Sequence, residues 1–182
     1  MPKSGIPSYL NSSLLSKYLN KSLTRTFISC WREAFAEGVG TFILVFAGTG
    51  AVIVNTLSEG AITHLGIGFV FGAVVAALIY GLGHISGAHF NPAVTLAFWT
   101  SGFLSKKLLV PYITSQSLGA IAASALLRTS LGNVNNLGAT LPLNGNWWQS
   151  LILEIVLTFI LMLVIFGSGL DQIGRASCRE RV

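Results

Sequence analysis

The chain has 182 residues, of which 52% are hydrophobic and only 9% charged, and its mean hydropathy is +0.70. That balance excludes a soluble globular domain and describes a polytopic membrane protein. The net charge of +5 comes without a basic patch interleaved with aromatics, so it points to a membrane surface and not to nucleic acid, and the two cysteines, Cys30 and Cys178, give neither a disulfide framework nor metal-ligand spacing.

Residues Met1 to Ser29 are polar, basic and rich in Ser and Asn, with Pro2 and Pro7. They lack the apolar core of a cleavable signal and are expected to form a flexible or weakly amphipathic tail, 1–30. Asn11-Ser-Ser and Asn20-Lys-Ser fit glycosylation acceptors, which a cytoplasmic side would make irrelevant. Cys30 reads as a small apolar residue near a membrane edge. The first span is expected from about Ala34 to Val54. It carries Glu37, costly inside an apolar run unless paired, and Gly38, Gly40, Gly48 and Gly50, which permit close helix contact. A short loop, Leu57 to Thr63, leads to an uncharged second span, Ile62 to Gly83. His64 is expected to be exposed, His84 to pack or anchor a loop, and Phe69 to be a core aromatic.

Next comes Ser86-Gly87-Ala88-His89-Phe90-Asn91-Pro92-Ala93-Val94-Thr95, too polar and small to face lipid although it lies between apolar runs. The apolar part after it, Ala93 to Phe103, is about half the roughly 20 residues of a spanning helix. Such a segment reads as re-entrant, and irregular backbone at membrane depth survives only where protein buries it or a watery cavity solvates it. Asn91 suits a helix N-cap and Pro92 the first helical position. A helix starting there turns its free amide hydrogens and positive dipole end toward the membrane centre, with the Asn91 NH2 left to donate to a solute. The alternative is an ordinary Asn-Pro turn between two helices.

Lys106 and Lys107 precede a third span, Leu108 to Leu127, with Pro111 near its start and Gln116 inside. Arg128 to Asn146 is a Gly/Asn/Pro loop. Trp147 and Trp148 sit where an interfacial belt belongs, ahead of a fourth span, Leu151 to Leu170, with Glu154 embedded. Lys3, Lys17, Lys21, Arg25 and Arg32 precede the first span and Lys106 and Lys107 follow the Asn-Pro-Ala stretch, whereas the first connecting loop has no basic residue. The positive-inside rule then places the N-terminus and the mouth of the Asn-Pro-Ala loop in the cytoplasm.

Glu37, then three residues, then Thr41-Phe42-Ile43-Leu44 recurs as Glu154, three residues, Thr158-Phe159-Ile160-Leu161, 117 residues later. Three spans separate the copies, so the second starts on the opposite side of the membrane. That describes an inverted-topology repeat, whose functional site lies near the midplane between the halves. Adding the same spacing to Asn91 places a second Asn-Pro-Ala loop near position 208, beyond residue 182. The final stretch, 173–182, reads as a translated sequencing-adapter oligonucleotide, so the membrane domain is expected to be 31–172 of a C-terminally truncated chain.

Gly83-His84-Ile85-Ser86-Gly87-Ala88-His89-Phe90-Asn91-Pro92-Ala93-Val94-Thr95 closely resembles the first Asn-Pro-Ala loop of the aquaporin and glycerol-facilitator family, the major intrinsic proteins, and the resemblance runs from about Trp31 to Leu170. It implies an all-α membrane fold with an aquaporin-like inverted repeat, of which this chain holds the first half (three spans plus a re-entrant half-helix) and the fourth span. It assigns the solute path to the backbone carbonyls of Gly87, Ala88 and His89 and to Asn91, Pro92 and Ala93. The His89 ring is then a buried, hydrogen-bonded group. Glu37 and Glu154 resemble paired buried glutamates that brace loop backbones; a proton relay is the alternative. Phe71 matches a constriction position and resembles the narrow, water-selective members.

The resemblance implies a passive water channel in a plasma or inner membrane, a homotetramer when full length, with glycerol or another small neutral solute as the alternative cargo. The chain by itself is expected to conduct little water. A coupled secondary transporter, or a natural short subunit acting only through partners, are the readings from other classes. No cofactor is expected, and no enzyme, because nothing pairs a nucleophile with a base.

Overall fold

Inside a bilayer every backbone polar group must find an internal partner, and a helix satisfies them all within one segment. The computed structural model describes residues 12–142 and 145–177, with side chains for 30–142 and 145–167. Those residues form five α-helices and no strand. They are α1 (Ser12–Leu57), α2 (Thr63–Ser86), α3 (Pro92–Thr100), α4 (Lys106–Leu131) and α5 (Trp147–Ser177). Four segments are long and apolar enough to cross a membrane: Cys30–Leu57, Thr63–Ser86, Lys106–Leu131 and Trp147–Gly167. The nine residues of α3 span only about 14 Å, less than half of a bilayer core.

Two helices extend beyond the expected spans. The backbone of residues 12–29, expected as a flexible or weakly amphipathic tail, is helical and continuous with the first span. No glycine or proline occurs between Pro7 and Gly38, so nothing in this stretch interrupts the ladder. The helix of the fourth span, α5, starts at Trp147, earlier than Leu151, and its backbone stays helical to Ser177.

α1 is the centre of the packing, against α4 most extensively and then α2. The α1–α4 crossing depends on two glycines: a Cβ on Gly119 would run into the Gly38 carbonyl oxygen and crowd the Phe42 amide. At the α1–α2 crossing the Phe71 ring occupies the space a side chain at Gly48 would need. α5 joins through Met162, Ile165 and Phe166, which pack with Ala34, Val94, Phe98, Leu104 and Tyr112 from α1, α3, α4 and the loop between α3 and α4. The Phe98 and Phe166 rings lie 5.1 Å apart. Phe69, expected in the core, is 75% exposed instead. Its neighbour two positions on, Phe71, takes the α1-facing place, and a helix turns about 200° between them.

Candidate functional site

The site begins where α2 stops. Gly87 adopts φ 88°, and its N–H donates to the Gly83 carbonyl at 2.9 Å, closing the last turn in the left-handed geometry glycine tolerates. The next residues have no such tolerance. Ala88 (φ 56°) and Phe90 (φ 49°) are both left-handed, a conformation costing roughly 1–2 kcal/mol per residue with a Cβ. Interactions elsewhere must hold them there.

Glu37 supplies most of them. It is completely buried on α1. Its Oε1 accepts from the Ser86 hydroxyl (2.6 Å) and the His89 backbone N–H (3.0 Å). Its Oε2 accepts from the Phe90 N–H (2.6 Å) and Gln116 Nε2 (2.8 Å). Four donors from two helices and the loop thus converge on one carboxylate, which compensates the removal of its charge from water. The Phe90 ring then lies over Gly40, where any Cβ would collide with it. Gly40 is ten residues beyond Cys30, so the loop reaches about 15 Å into the span, half the thickness of a bilayer core.

α4 adds a second set of contacts. The Tyr112 hydroxyl donates to the Ser86 carbonyl at 2.7 Å. Gln116 Nε2 also donates to Thr95 Oγ1 (2.9 Å), and Thr95 Oγ1 donates to the Asn91 carbonyl (3.1 Å). With its only hydrogen so used, Thr95 accepts from His89 Nδ1 at 3.2 Å, which makes Nδ1 the protonated ring nitrogen. The His89 ring stacks on Phe98 at 4.4 Å and meets Tyr112 edge-on at 5.4 Å. Gln116 Oε1 is a buried acceptor with no partner among the described residues.

The result is a fixed helix start. Asn91 (φ −152°, ψ 128°) caps α3, its Oδ1 accepting from the Ala93 N–H at 2.8 Å, and Pro92 holds the first helical position. Asn91 and Ala93 are exposed and Pro92, Gly87 and Ala88 half-buried. With Oδ1 engaged, the Asn91 NH2 has no hydrogen-bond acceptor among the described residues. It therefore stands ready at the positive end of α3 as a donor to a neutral or electron-rich oxygen.

The structure thus brings Glu37, Gly87, Ala88, His89, Asn91, Pro92 and Ala93 together. It does not bring Phe71 or Glu154 to them. Phe71 is 15 residues before Ser86, about 22 Å along α2, half-buried on α1. Glu154, expected to be a buried loop brace, is exposed on α5 and bonds to no described residue. Four donors like those around Glu37 are what it would need, and the one Asn-Pro-Ala loop described here gives its own to Glu37. His84 is likewise exposed and makes no side-chain hydrogen bond to a described residue, whereas His64 is exposed as expected. Ser86, Thr95, Tyr112 and Gln116 were not singled out as functional from the sequence. The available signal was Gln116, an uncharged polar group inside an apolar span, with Tyr112 one turn before it on the same face.

A profile of the family described as major intrinsic protein matches residues 24–178. The chain is 48% identical over 142 residues to Aquaporin NIP1-1 of Zea mays, covering 78% of this chain and 50% of that protein. It is 39% identical over 158 residues to Nodulin-26 of Glycine max, covering 86% and 58% respectively. With Aquaporin AqpM of Methanothermobacter marburgensis it shares 38% over 167 residues, 80% of this chain and 68% of the relative. The chain spans about half the length of the first of these relatives. A braced Asn-Pro-Ala half-helix, four apolar spans and these similarities together place the chain in the major intrinsic protein family.

Proposed function

We propose that this chain forms the first half of the wall, and one of two Asn-Pro-Ala half-helices, of a passive channel for water. The supporting observation is Asn91: an exposed carboxamide with its oxygen engaged in capping α3 and its NH2 unpartnered. Such a group hydrogen-bonds a passing oxygen without accepting a proton, and the positive end of α3 repels cations; this applies the known logic of aquaporin-type selectivity. The carbonyls of Gly87, Ala88 and His89 act as stepwise acceptors leading to it. The N-terminus lies in the cytoplasm, the whole channel is a homotetramer, and Glu154 braces a second loop as Glu37 braces the first. Phe71 narrows the outer end of the path and favours water over glycerol.

The test is a chimera: residues 31–166 of this chain followed by the C-terminal half of the maize relative, reconstituted in liposomes and followed by stopped-flow light scattering under an osmotic step. Shrinkage well above that of empty vesicles is expected, with Asn91→Asp reducing it at least tenfold. A glycerol gradient should give no comparable swelling. Flux that saturates with solute or follows an ion gradient would support a coupled transporter instead. A chimera that inserts and forms the native oligomer yet leaves vesicles as tight as empty ones would refute the channel reading.

A further inference from the structure

Thr95 lies in the first turn of α3, four residues after Asn91, and is completely buried, as is Gln116. A hydroxyl has one hydrogen to give and two lone pairs to fill. In Thr95 all three are used. The hydrogen goes to the Asn91 carbonyl oxygen (3.1 Å), and the lone pairs take Gln116 Nε2 (2.9 Å) and His89 Nδ1 (3.2 Å). The direction of the Gln116 amide is set elsewhere: the same Nε2 meets Glu37 Oε2 at 2.8 Å, and a carboxylate only accepts. That orientation leaves Gln116 Oε1 without a partner among the described residues. The fold thus bears one orphaned acceptor and keeps both donor bonds. The His89 ring has its one hydrogen bond among the described residues at Nδ1, so a proton there strands no N–H in a buried ring.

A threonine inside a helix commonly bonds back to the carbonyl four residues earlier and does nothing more. Thr95 differs in two ways. The carbonyl it holds belongs to the N-cap, and two side chains from outside α3 converge on its oxygen. The proposed path runs from the His89 carbonyl, its last acceptor, to the Asn91 NH2, its donor. Thr95 holds the ring of the first residue and the main-chain carbonyl of the second. Asn91 Oδ1 is already engaged by the Ala93 N–H at 2.8 Å. With its carbonyl held as well, the carboxamide is fixed from both ends.

We infer that Thr95 is a positioning residue for the solute path: its hydroxyl, oriented by Gln116, sets the aim of the Asn91 NH2 relative to the His89 carbonyl. This role rests on the channel reading above and adds to it a buried residue that touches no solute. Every group it needs lies between Glu37 and Gln116, inside the described fold.

Two measurements decide it. The first needs no flux: nitrogen-15 NMR of the 182-residue chain in micelles, labelled at the histidine ring nitrogens. His64→Gln and His84→Gln, both at exposed positions, leave His89 as the one reporter. With Thr95 in place the ring should be protonated at Nδ1 and bare at Nε2. Thr95→Val, which keeps the branched shape and removes the hydroxyl, should abolish that preference, because Nδ1 then has no acceptor. A ring protonated at Nε2 in the Thr95 protein overturns the inference, since Thr95 would then donate to His89 and release the Asn91 carbonyl. The second measurement is osmotic water flux per channel in the chimera. Thr95→Val should lower it roughly fivefold, the shift in population that one hydrogen bond of ordinary net strength gives, with the amount of oligomer unchanged. Thr95→Ser, which keeps the hydroxyl, should restore most of the flux. A loss in Thr95→Ser as large as in Thr95→Val overturns the inference and assigns the effect to packing of the methyl group. A conducting chimera whose Thr95→Val form conducts equally well overturns the inference alone. A chimera with Thr95 that conducts nothing overturns the channel reading itself, and this role with it.

Discussion

Replacing Glu37 by glutamine keeps the size and shape of the side chain and removes half of its accepting capacity. The present carboxylate serves four donors, two of them backbone N–H groups that cannot turn away. If the new carboxamide oxygen stays with Phe90 and Gln116, its NH2 faces the His89 N–H. If it stays with Ser86 and His89, its NH2 faces the Phe90 N–H. Either way one buried backbone donor loses its acceptor, at a cost of about 1–3 kcal/mol, and two donors are forced face to face. The left-handed Ala88 and Phe90 then relax toward ordinary backbone geometry. A total of about 2–4 kcal/mol is expected, falling on the loop before the helices. Because each 1.4 kcal/mol is a factor of ten in an equilibrium, the amides of His89 and Phe90 should exchange with deuterium roughly 30- to 700-fold faster in Glu37→Gln. The assay is hydrogen–deuterium exchange with mass spectrometry on peptides covering 86–95, with peptides from the α1–α4 crossing as the internal reference. Native-like protection at 89 and 90 in a folded Glu37→Gln protein would refute the claim that this carboxylate holds the loop.

Two further substitutions probe the same frame. Tyr112→Phe removes the donor to the Ser86 carbonyl, and should lower thermal stability by about 1 kcal/mol while raising exchange at Gly87 and Ala88; unchanged exchange there would show that the α2 end needs no help from α4. Gly119→Ala puts a methyl against the Gly38 carbonyl and should cost about 1–3 kcal/mol as overpacking, read as a lower melting temperature in detergent; an equal or higher melting temperature would mean that α1 and α4 do not cross so closely.

The order of the helices was legible because the bilayer allows so few solutions. Long apolar runs gave the spans, and the polar break at 86–92 gave the re-entrant loop. Asn91-Pro92 fixed the α3 start, since a cap oxygen and a ring without an N–H suit that one place in a helix. Glu37 stood out as an unpaired charge in an apolar run. The contacts from α4 were harder to see, because placing Gln116 on Glu37 and Thr95, and the Tyr112 hydroxyl on the Ser86 carbonyl, requires knowing which face of α4 meets α1. Phe69 and Phe71 show the same difficulty: both are aromatic and two residues apart, and only the position of Gly48 decides which is packed. His84 was misjudged because it neighbours the loop in sequence while the helix turns it outward.

The two halves of the repeat test the idea of paired braces most sharply. Glu37 and Glu154 share a sequence context, yet one is wholly buried among donors and the other exposed on an apolar helix. Glu154 lies seven residues, about 10 Å, inside α5 from Trp147. An acidic side chain at the centre of a spanning helix costs about 2.5–3.5 kcal/mol to insert, whereas leucine is slightly favourable. At the depth of Glu154 the gain from Glu154→Leu in this chain should be about 1–3 kcal/mol, visible as a larger inserted fraction of the fourth span in microsomes. Glu37→Leu should move the other way, because it strands four donors. In the chimera that supplies a second half, Glu154→Leu should also turn destabilising and reduce water flux, since donors from the second loop would then lose their acceptor. The sign of the Glu154 effect therefore reports whether that carboxylate has found the partners that Glu37 already has. A Glu154→Leu change that stabilises both proteins equally would show that the second glutamate braces nothing, and the paired-brace reading would fail.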